Sequence, residues 1–160
     1  MNNLTGFADL VGDTSIMLGL VVADKAGLLQ ALAEKAASAT GQPVTTILER
    51  VRERETLGAT GFGQGAAIPH ARLAGLEAVT AVVARLVRGV EYGAIDGEAV
   101  DVAVLLVSPE DAGADHLKAL ARVSRALRDH DVLGAIRDAE DVAGLRRAIG
   151  SDATPGQRAA

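Results

Sequence analysis

The stretch GATGFGQGAAIPHAR, residues 58 to 72, carries the strongest signal in this sequence. It places four glycines within eight positions and then narrows to Ala66-Ala67-Ile68, a short apolar run that predicts a buried strand. Because proline has no N–H for a sheet ladder, we expect Pro69 to end that strand. His70 follows at once, so the pattern predicts an imidazole held at the end of a strand by fixed neighbours.

A histidine that follows a glycine-rich loop in this way is suited to binding and transferring an anion. Glycines let backbone N–H groups approach an anion closely and adopt positive φ at little cost, and a histidine can act as a nucleophile that carries a phosphoryl group. The loop is not a Walker A loop, since no Gly-Lys-Ser/Thr follows, and Gly61-x-Gly63-x-Gly65 is not the spacing of a dinucleotide fingerprint. On the glycines alone, a Gly-rich hairpin with an incidental surface histidine is the simpler interpretation.

Composition limits the class of protein. With 160 residues the chain has room for one domain, and with 49% hydrophobic but only 2% aromatic residues its core must be built from Leu, Val, Ile and Ala. The net charge of −5 without a basic block argues against nucleic acid or an anionic membrane as a partner. The absence of cysteine excludes disulfides and thiolate metal sites.

No targeting or membrane segment is expected. Met1-Asn2-Asn3 lacks the basic start of a signal peptide, and the longest apolar stretch, residues 16–23, is too short to span a bilayer. We therefore expect a cytoplasmic protein without membrane insertion.

Strand and helix patterns alternate along the chain, which predicts an α/β fold. We expect a single domain over residues 1–150, with a central mixed, mostly parallel sheet flanked by helices on both faces, and a flexible tail over residues 151–160. The predicted strands are 15–23 (covered on both faces), 66–68, 79–87 and 100–107. The predicted helices are 25–38, 43–57, 115–129, 132–139 and 142–149. In helix 115–129 the predicted inner face is Leu117, Leu120, Ala121, Ser124 and Leu127.

Arg54 stands out within the second predicted helix. It lies seven residues after Ile47 and three after Val51, so it continues their inward stripe, while Arg50 and Glu53 lie toward the outer face. A guanidinium on the buried side needs an anionic partner, for which its bidentate geometry suits phosphate. The alternative is that Arg54 extends to solvent at the helix end.

His116 lies in the first turn of the helix predicted over 115–129. The partial positive charge of a helix N-terminus favours an anion and disfavours the imidazolium, so we expect His116 to be mostly neutral. A lone histidine beside an apolar face is commonly just a packed side chain, and the residues alone leave this open. His130, after Asp129 at a helix end, is interpreted as a surface residue.

Residues 60–70, TGFGQGAAIPH, resemble the active-site motif of the fructose/mannitol-type (type 2) enzyme IIA domains of the bacterial phosphoenolpyruvate-dependent phosphotransferase system. This family includes a nitrogen-regulatory (PtsN-like) branch. The segments 92–97 and HLKAL, 116–120, are similar to two further parts of the family pattern, and the resemblance runs from about residue 13 to residue 149. The sequence departs from the pattern at Ala71, where the family usually has glycine.

The resemblance implies that His70 is the phosphorylated nucleophile, attacking through Nε2, with Arg54 and His116 as further catalytic residues. It also implies phosphate binding by the glycine-rich loop at Gly63 and Gly65. Arg72 keeps a positive charge near the site, as a phosphate ligand or as a solvated loop arginine. No metal and no cofactor is required.

The resemblance further implies a histidine phosphocarrier protein (HPr/NPr-like) as donor, and regulatory target proteins or a IIB protein as acceptor. A chain without a fused IIB-like domain resembles the nitrogen-regulatory branch, and a sugar-specific IIA that feeds uptake of fructose or mannitol is the alternative.

Two functions other than phosphate transfer are also compatible with parts of the sequence. A hydrolytic metal site could use His70, His116 and Asp115 or Glu77, but no HExxH or close histidine pair supports it. The other alternative is a pure interaction module.

Overall fold

The computed structural model describes residues 6–150. The tail expected over residues 151–160 lies outside the described residues, and the domain boundary at residue 150 stays a prediction.

The described part of the chain contains six strands, which form a sheet, and five α-helices, and this confirms the predicted α/β fold. The strands are β1 (Val11–Leu20), β2 (Gly61–Gly63), β3 (Ala66–Ala67), β4 (His70–Leu73), β5 (Thr80–Val90) and β6 (Val100–Pro109). The helices are α1 (Lys25–Thr40), α2 (Val44–Thr56), α3 (Ala114–Arg128), α4 (His130–Asp138) and α5 (Val142–Ala148). None of the helices within these residues is both long and apolar enough to cross a bilayer.

The strands form one mixed sheet in the order β1-β5-β6-β3-β2, with β4 also paired to β6. The β1–β5, β3–β6 and β4–β6 pairs are parallel, and the β5–β6 and β2–β3 pairs are antiparallel, so most pairs are parallel as predicted. β6 lies at the centre, because it alone pairs with β5 on one side and with both β3 and β4 on the other.

Helices cover both faces of this sheet, as expected. The central strand β6 is mainly apolar, and alternate residues point to opposite faces of the sheet. On β6, Leu105 and Val107 pack with the residues of α1 and α2, whereas Val104 and Leu106 pack with those of α3, α4 and α5.

The first strand differs from its prediction. It covers Val11–Leu20 rather than residues 15–23, and Gly12, Asp13, Thr14 and Gly19 are exposed. The reason is its position, since β1 pairs only with β5 and forms an edge of the sheet. An unbroken apolar run is therefore not sufficient to place a strand between two covered faces.

The chain around Pro69 also differs from its prediction. Pro69 interrupts the strand, but its carbonyl accepts a hydrogen bond from the N–H of Leu106 at 3.0 Å. The chain then pairs again with β6, beginning with His70 opposite Leu106. His70 therefore opens a second short strand instead of following the last one.

The predicted inner face of α3 is shifted by one residue. The buried residues are His116, Ala119, Val123, Ala126 and Leu127, whereas Leu117 is 62% exposed. Two overlapping stripes at helical spacing are available, and the one that contains His116 and the small alanines lies against the sheet. This rotation brings His116 beneath the protein surface.

The shifted face can be tested by stability measurements. We expect Leu127→Ala, at a side chain with 0% exposure, to lower the free energy of unfolding by about 2–5 kcal/mol, because it leaves a cavity in the core. Leu117→Ala on the same helix should change it by no more than about 0.5 kcal/mol. Equal losses in urea unfolding would contradict the observed orientation of α3.

Candidate functional site

His70 is fixed by its own backbone neighbourhood. Its Nδ1 lies 2.8 Å from the carbonyl oxygen of Ile68. A carbonyl only accepts hydrogen bonds, so Nδ1 must carry the proton and donate it. The other ring nitrogen, Nε2, then has a free lone pair, which makes it the nucleophilic atom of this side chain.

Arg54 meets that nitrogen directly. Its Nε donates to Nε2 of His70 at 3.2 Å, and its Nη1 donates to the carbonyl oxygen of Gly58 at 3.1 Å. Arg54 lies in the last turn of α2 and is half-buried, while Arg50 and Glu53 are exposed, as the helical spacing predicted. The guanidinium is thus held where an anion attached to Nε2 would form.

His116, in the first turn of α3, lies next to His70 in the same site. The two imidazole rings have centroids 5.7 Å apart and planes inclined by 50°. His116 is only 5% exposed, and its Nδ1 lies 2.7 Å from Oγ of Ser108. Three residues from α2, β4 and α3 therefore converge, as the sequence predicted for Arg54, His70 and His116.

These side chains line one open cavity of about 350 Å³. Its lining contains three guanidinium groups against one carboxylate, so its field favours a negatively charged ligand. Arg72 is among the lining residues and lies in β4 rather than in a loop, and its role as a phosphate ligand stays a prediction. The full lining is Arg50, Glu53, Arg54, Leu57, His70, Ala71, Arg72 and His116.

The two glycines predicted to bind phosphate lie elsewhere. Neither Gly63 nor Gly65 lines the cavity at His70. Both adopt positive φ in the turn between β2 and β3, and a Cβ on Gly65 would lie 2.5 Å from Nη2 of Arg137 and 2.9 Å from Oδ1 of Asp101. Their evident role is to form this turn beside the Arg137–Asp101 ion pair.

A buried carboxylate beside the site was not predicted. The side chain of Glu55 is 6% exposed and accepts hydrogen bonds from the hydroxyl of Tyr92 at 3.0 Å and from both N–H and hydroxyl of Thr60, while Lys25 lies 2.9 Å away. These contacts tie the last turn of α2 to α1 and to the start of the glycine-rich stretch. Since Arg54 is the preceding residue, they also fix the position of its backbone.

The pKa values of both site histidines lie below the ordinary value of 6.5. For His70 burial is the main cause and Arg54 adds to it, while the hydrogen bond to Ile68 and the charge of Glu55 act in the opposite direction. For His116 burial lowers the pKa most, followed by the charges of Arg72 and His70. The expected neutrality of His116 thus has burial as its main cause, rather than the helix N-terminus alone.

Two residues of the site, Arg50 in the cavity lining and Ser108 beneath it, were not predicted from the sequence. Arg50 is predicted on the outer face of α2, yet it lies one turn before Arg54 and its exposed side chain lines the same cavity. Ser108 carries no signal of its role in the sequence, because its contact with His116 depends on where β6 ends and how α3 packs. Within residues 6–150, no three or more His, Asp or Glu side chains are grouped to hold a metal ion. Glu77 lines a separate cavity.

Residues 10–151 match the model of the family described as phosphoenolpyruvate-dependent sugar phosphotransferase system, EIIA 2. This chain belongs to that family. It is therefore an EIIA phosphotransferase component, and the resemblance seen in the sequence is confirmed over nearly the same range.

Similar proteins come from several bacteria. The chain is 47% identical over 133 residues to a nitrogen regulatory protein of Bradyrhizobium diazoefficiens, covering 83% of this chain and 87% of the relative. A nitrogen regulatory protein of Pseudomonas aeruginosa is 38% identical over 104 residues, which cover 65% of this chain and 68% of the relative.

Solved structures show the same fold. The nitrogen regulatory protein IIA-Ntr of Neisseria meningitidis superposes with a TM-score of 0.84 at 26% identity, covering 89% of this chain and 97% of that one. The mannitol IIA of Escherichia coli gives a TM-score of 0.72 at 17% identity, with 87% and 98% covered. The second likeness shows the fold alone.

The carboxylate network around Glu55 can be tested by removing its charge. Glu55→Gln keeps the shape of the side chain but removes the charge that its donors surround, so we expect the free energy of unfolding to fall by about 1–3 kcal/mol. Glu53→Gln, at a side chain that is 70% exposed, should change it by no more than about 0.5 kcal/mol. Equal effects of the two variants in chemical denaturation would argue against the network.

The lowered pKa of His70 predicts how stability depends on pH. Between the folded pKa and 6.5 the unfolded chain binds a proton that the native His70 does not, so stability should rise with pH across this window. In an NMR titration we expect a midpoint below 6.5 for His70. Arg54→Gln should move it upward, because a cation that opposes the imidazolium is removed, whereas the exposed Arg52→Gln should not. A midpoint above 6.5 would contradict the burial argument.

Proposed function

We propose that this EIIA protein is a phosphocarrier that accepts a phosphoryl group on Nε2 of His70. The proposal rests on the two hydrogen bonds of the His70 ring. Nδ1 donates its proton to the carbonyl of Ile68, and the unprotonated Nε2 accepts a hydrogen bond from the guanidinium of Arg54 in a cationic cavity. A neutral, oriented nucleophile beside a fixed positive charge suits transfer of a dianion.

The transfer step follows from these contacts. The lone pair of His70 Nε2 attacks the phosphorus of a phosphohistidine donor, and a new N–P bond forms. The N–P bond of the donor breaks, and its electron pair returns to the donor's ring nitrogen. The proton on Nδ1 of His70 stays on the ring and keeps its hydrogen bond to the carbonyl oxygen of Ile68. Phosphoryl transfer needs positioning and charge stabilisation more than acid–base chemistry, and Arg54, Arg72 and His116 supply both.

The proposed donor is a histidine phosphocarrier protein of the HPr or NPr kind. EIIA proteins of this family interact with phosphocarriers and with IIB proteins, and the mannitol IIA of Escherichia coli has been solved in a complex with phosphorylated IIB. The proposal includes a cytoplasmic location, where phosphoenolpyruvate-derived phosphoryl groups are available.

For the downstream role we propose nitrogen-regulatory signalling, in which the phosphorylation state of His70 controls a partner protein. The relatives matched over most of their length are named nitrogen regulatory proteins. A sugar-specific role is the second candidate, because the chain is also 37% and 33% identical to parts of two EIIABC components, of which it spans only 14%.

The proposal is tested by labelling. With labelled phosphoenolpyruvate, enzyme I and the phosphocarrier, we expect one acid-labile, base-stable phosphate on the protein. His70→Ala should abolish the label, whereas His130→Ala, at an exposed residue outside the cavity, should retain it. A label that survives His70→Ala would overturn the assignment of the nucleophile, and bound zinc in the purified protein would favour the metal-site alternative.

The branch can be tested with the same labelled protein. If a purified fructose- or mannitol-type IIB protein removes the phosphate within the time of the donor reaction, the sugar-specific role is favoured. If the label persists in the presence of IIB, the regulatory role is favoured.

A further inference from the structure

Ser108 is a buried hydroxyl that the transfer step does not require. It lies near the end of β6 with 0% exposure, opposite Arg72 in the β4–β6 register. Its Oγ lies 2.7 Å from Nδ1 of His116, and among the described residues this is its sole side-chain hydrogen bond. The bond joins the two buried polar side chains of this region.

The direction of this bond can be inferred from the hydroxyl proton. If Nδ1 of His116 donated, the O–H of Ser108 would be left in the interior without an acceptor, which costs about 1–3 kcal/mol. If Ser108 donates instead, its proton is satisfied and Nδ1 acts as the acceptor. The second arrangement leaves no buried donor unpaired, so we take Ser108 as the donor.

The other nitrogen of the ring is open to the cavity. Nε2 of His116 has no hydrogen-bond partner, yet it is not a buried unpaired atom, since within residues 6–150 Ser15 Oγ is the single side-chain atom of that kind. It is therefore accessible from the cavity that His116 lines. With Nδ1 accepting from Ser108, a neutral His116 must carry its proton on Nε2.

We propose that Ser108 is a positioning residue that holds His116 in the Nε2–H form, so that this N–H donates to a phosphoryl oxygen carried by His70. The role toward the phosphoryl group rests on the proposed function, whereas the tautomer does not. The partner of Nδ1 gives the two rings opposite tautomers, with the proton on Nδ1 of His70 and on Nε2 of His116. The carbonyl at His70 leaves Nε2 as an unprotonated, nucleophilic nitrogen, and the hydroxyl at His116 leaves Nε2 as a hydrogen-bond donor.

The arrangement suits a site where a second imidazolium is unfavourable. His116 is buried, and Arg72 and His70 act on it from β4, so a positive charge on the ring is disfavoured. A neutral Nε2–H still stabilises phosphoryl oxygens, without needing the proton that this environment opposes.

The tautomer is tested first, without any phosphoryl donor. In ¹⁵N NMR spectra at neutral pH we expect His116 to show a protonated Nε2 and an unprotonated Nδ1. Ser108→Ala should raise the titration midpoint of His116, because a donor to the neutral ring is lost. Ser15→Ala is the matched control, since it removes a hydroxyl that is equally buried but unpartnered, and it should leave His116 unchanged. A protonated Nδ1, or a midpoint that falls or stays in Ser108→Ala, would overturn the proposal.

The effect on transfer is tested with a double-mutant cycle. Ser108→Ala should slow phosphorylation of His70 about tenfold, the size expected from weakening one hydrogen bond to a charged group, and Ser15→Ala should not slow it. In a His116→Ala background, Ser108→Ala should change the rate by less than about twofold, because its path of action is already absent. A tenfold loss in both backgrounds would show that Ser108 acts by another route. If the wild-type protein takes no label at all, the proposed function fails, while the NMR result still decides the tautomer.

Discussion

The register between β4 and β6 is the constraint on which the site depends. His70 pairs opposite Leu106, and Arg72 pairs opposite Ser108. Because side chains alternate along a strand, His70 and Arg72 share the face that opens to the cavity, while Leu73 packs into the core beneath α1 and α2. A slip by one residue would exchange these two sets and place the imidazole among Leu and Val side chains. Such a slip is disfavoured because it would remove Ala71 and Leu73 from the apolar core in which they are buried.

Two imidazoles that lie 5.7 Å apart acquire different chemistry from this frame. A neutral histidine can carry its proton on either ring nitrogen, so the surroundings of each ring decide its tautomer. The difference comes from the group that meets Nδ1: a main-chain carbonyl two residues back for His70, and a side-chain hydroxyl from another element for His116. The first contact is local and almost independent of tertiary structure, whereas the second exists only when α3 lies on the end of β6.

Charge is arranged around the site in two layers. Arg54 points into the cavity, and the adjacent Glu55 points away from it into a buried group of donors from Lys25, Thr60 and Tyr92. Burial and the negative charge of Glu55 raise the pKa of the Tyr92 hydroxyl, so it stays protonated and remains a donor. The carboxylate therefore has its own partners and does not pair with the guanidinium of Arg54.

The sequence by itself determined the α/β class, the extent of most elements and the side of α2 on which Arg54 lies, because these follow from local periodicity and from caps such as Asp24, whose carboxylate accepts from the N–H of Gly27. It also indicated the family, through a long and specific motif around His70. Tertiary structure alone decided that β1 is an edge strand, that α3 turns His116 rather than Leu117 inward, and that Gly63 and Gly65 form a turn away from the cavity. It also decided that Ser108 contacts His116 and that Glu55 is buried among its donors. These features depend on which surfaces meet across the sheet, and periodicity along one segment does not specify its partner.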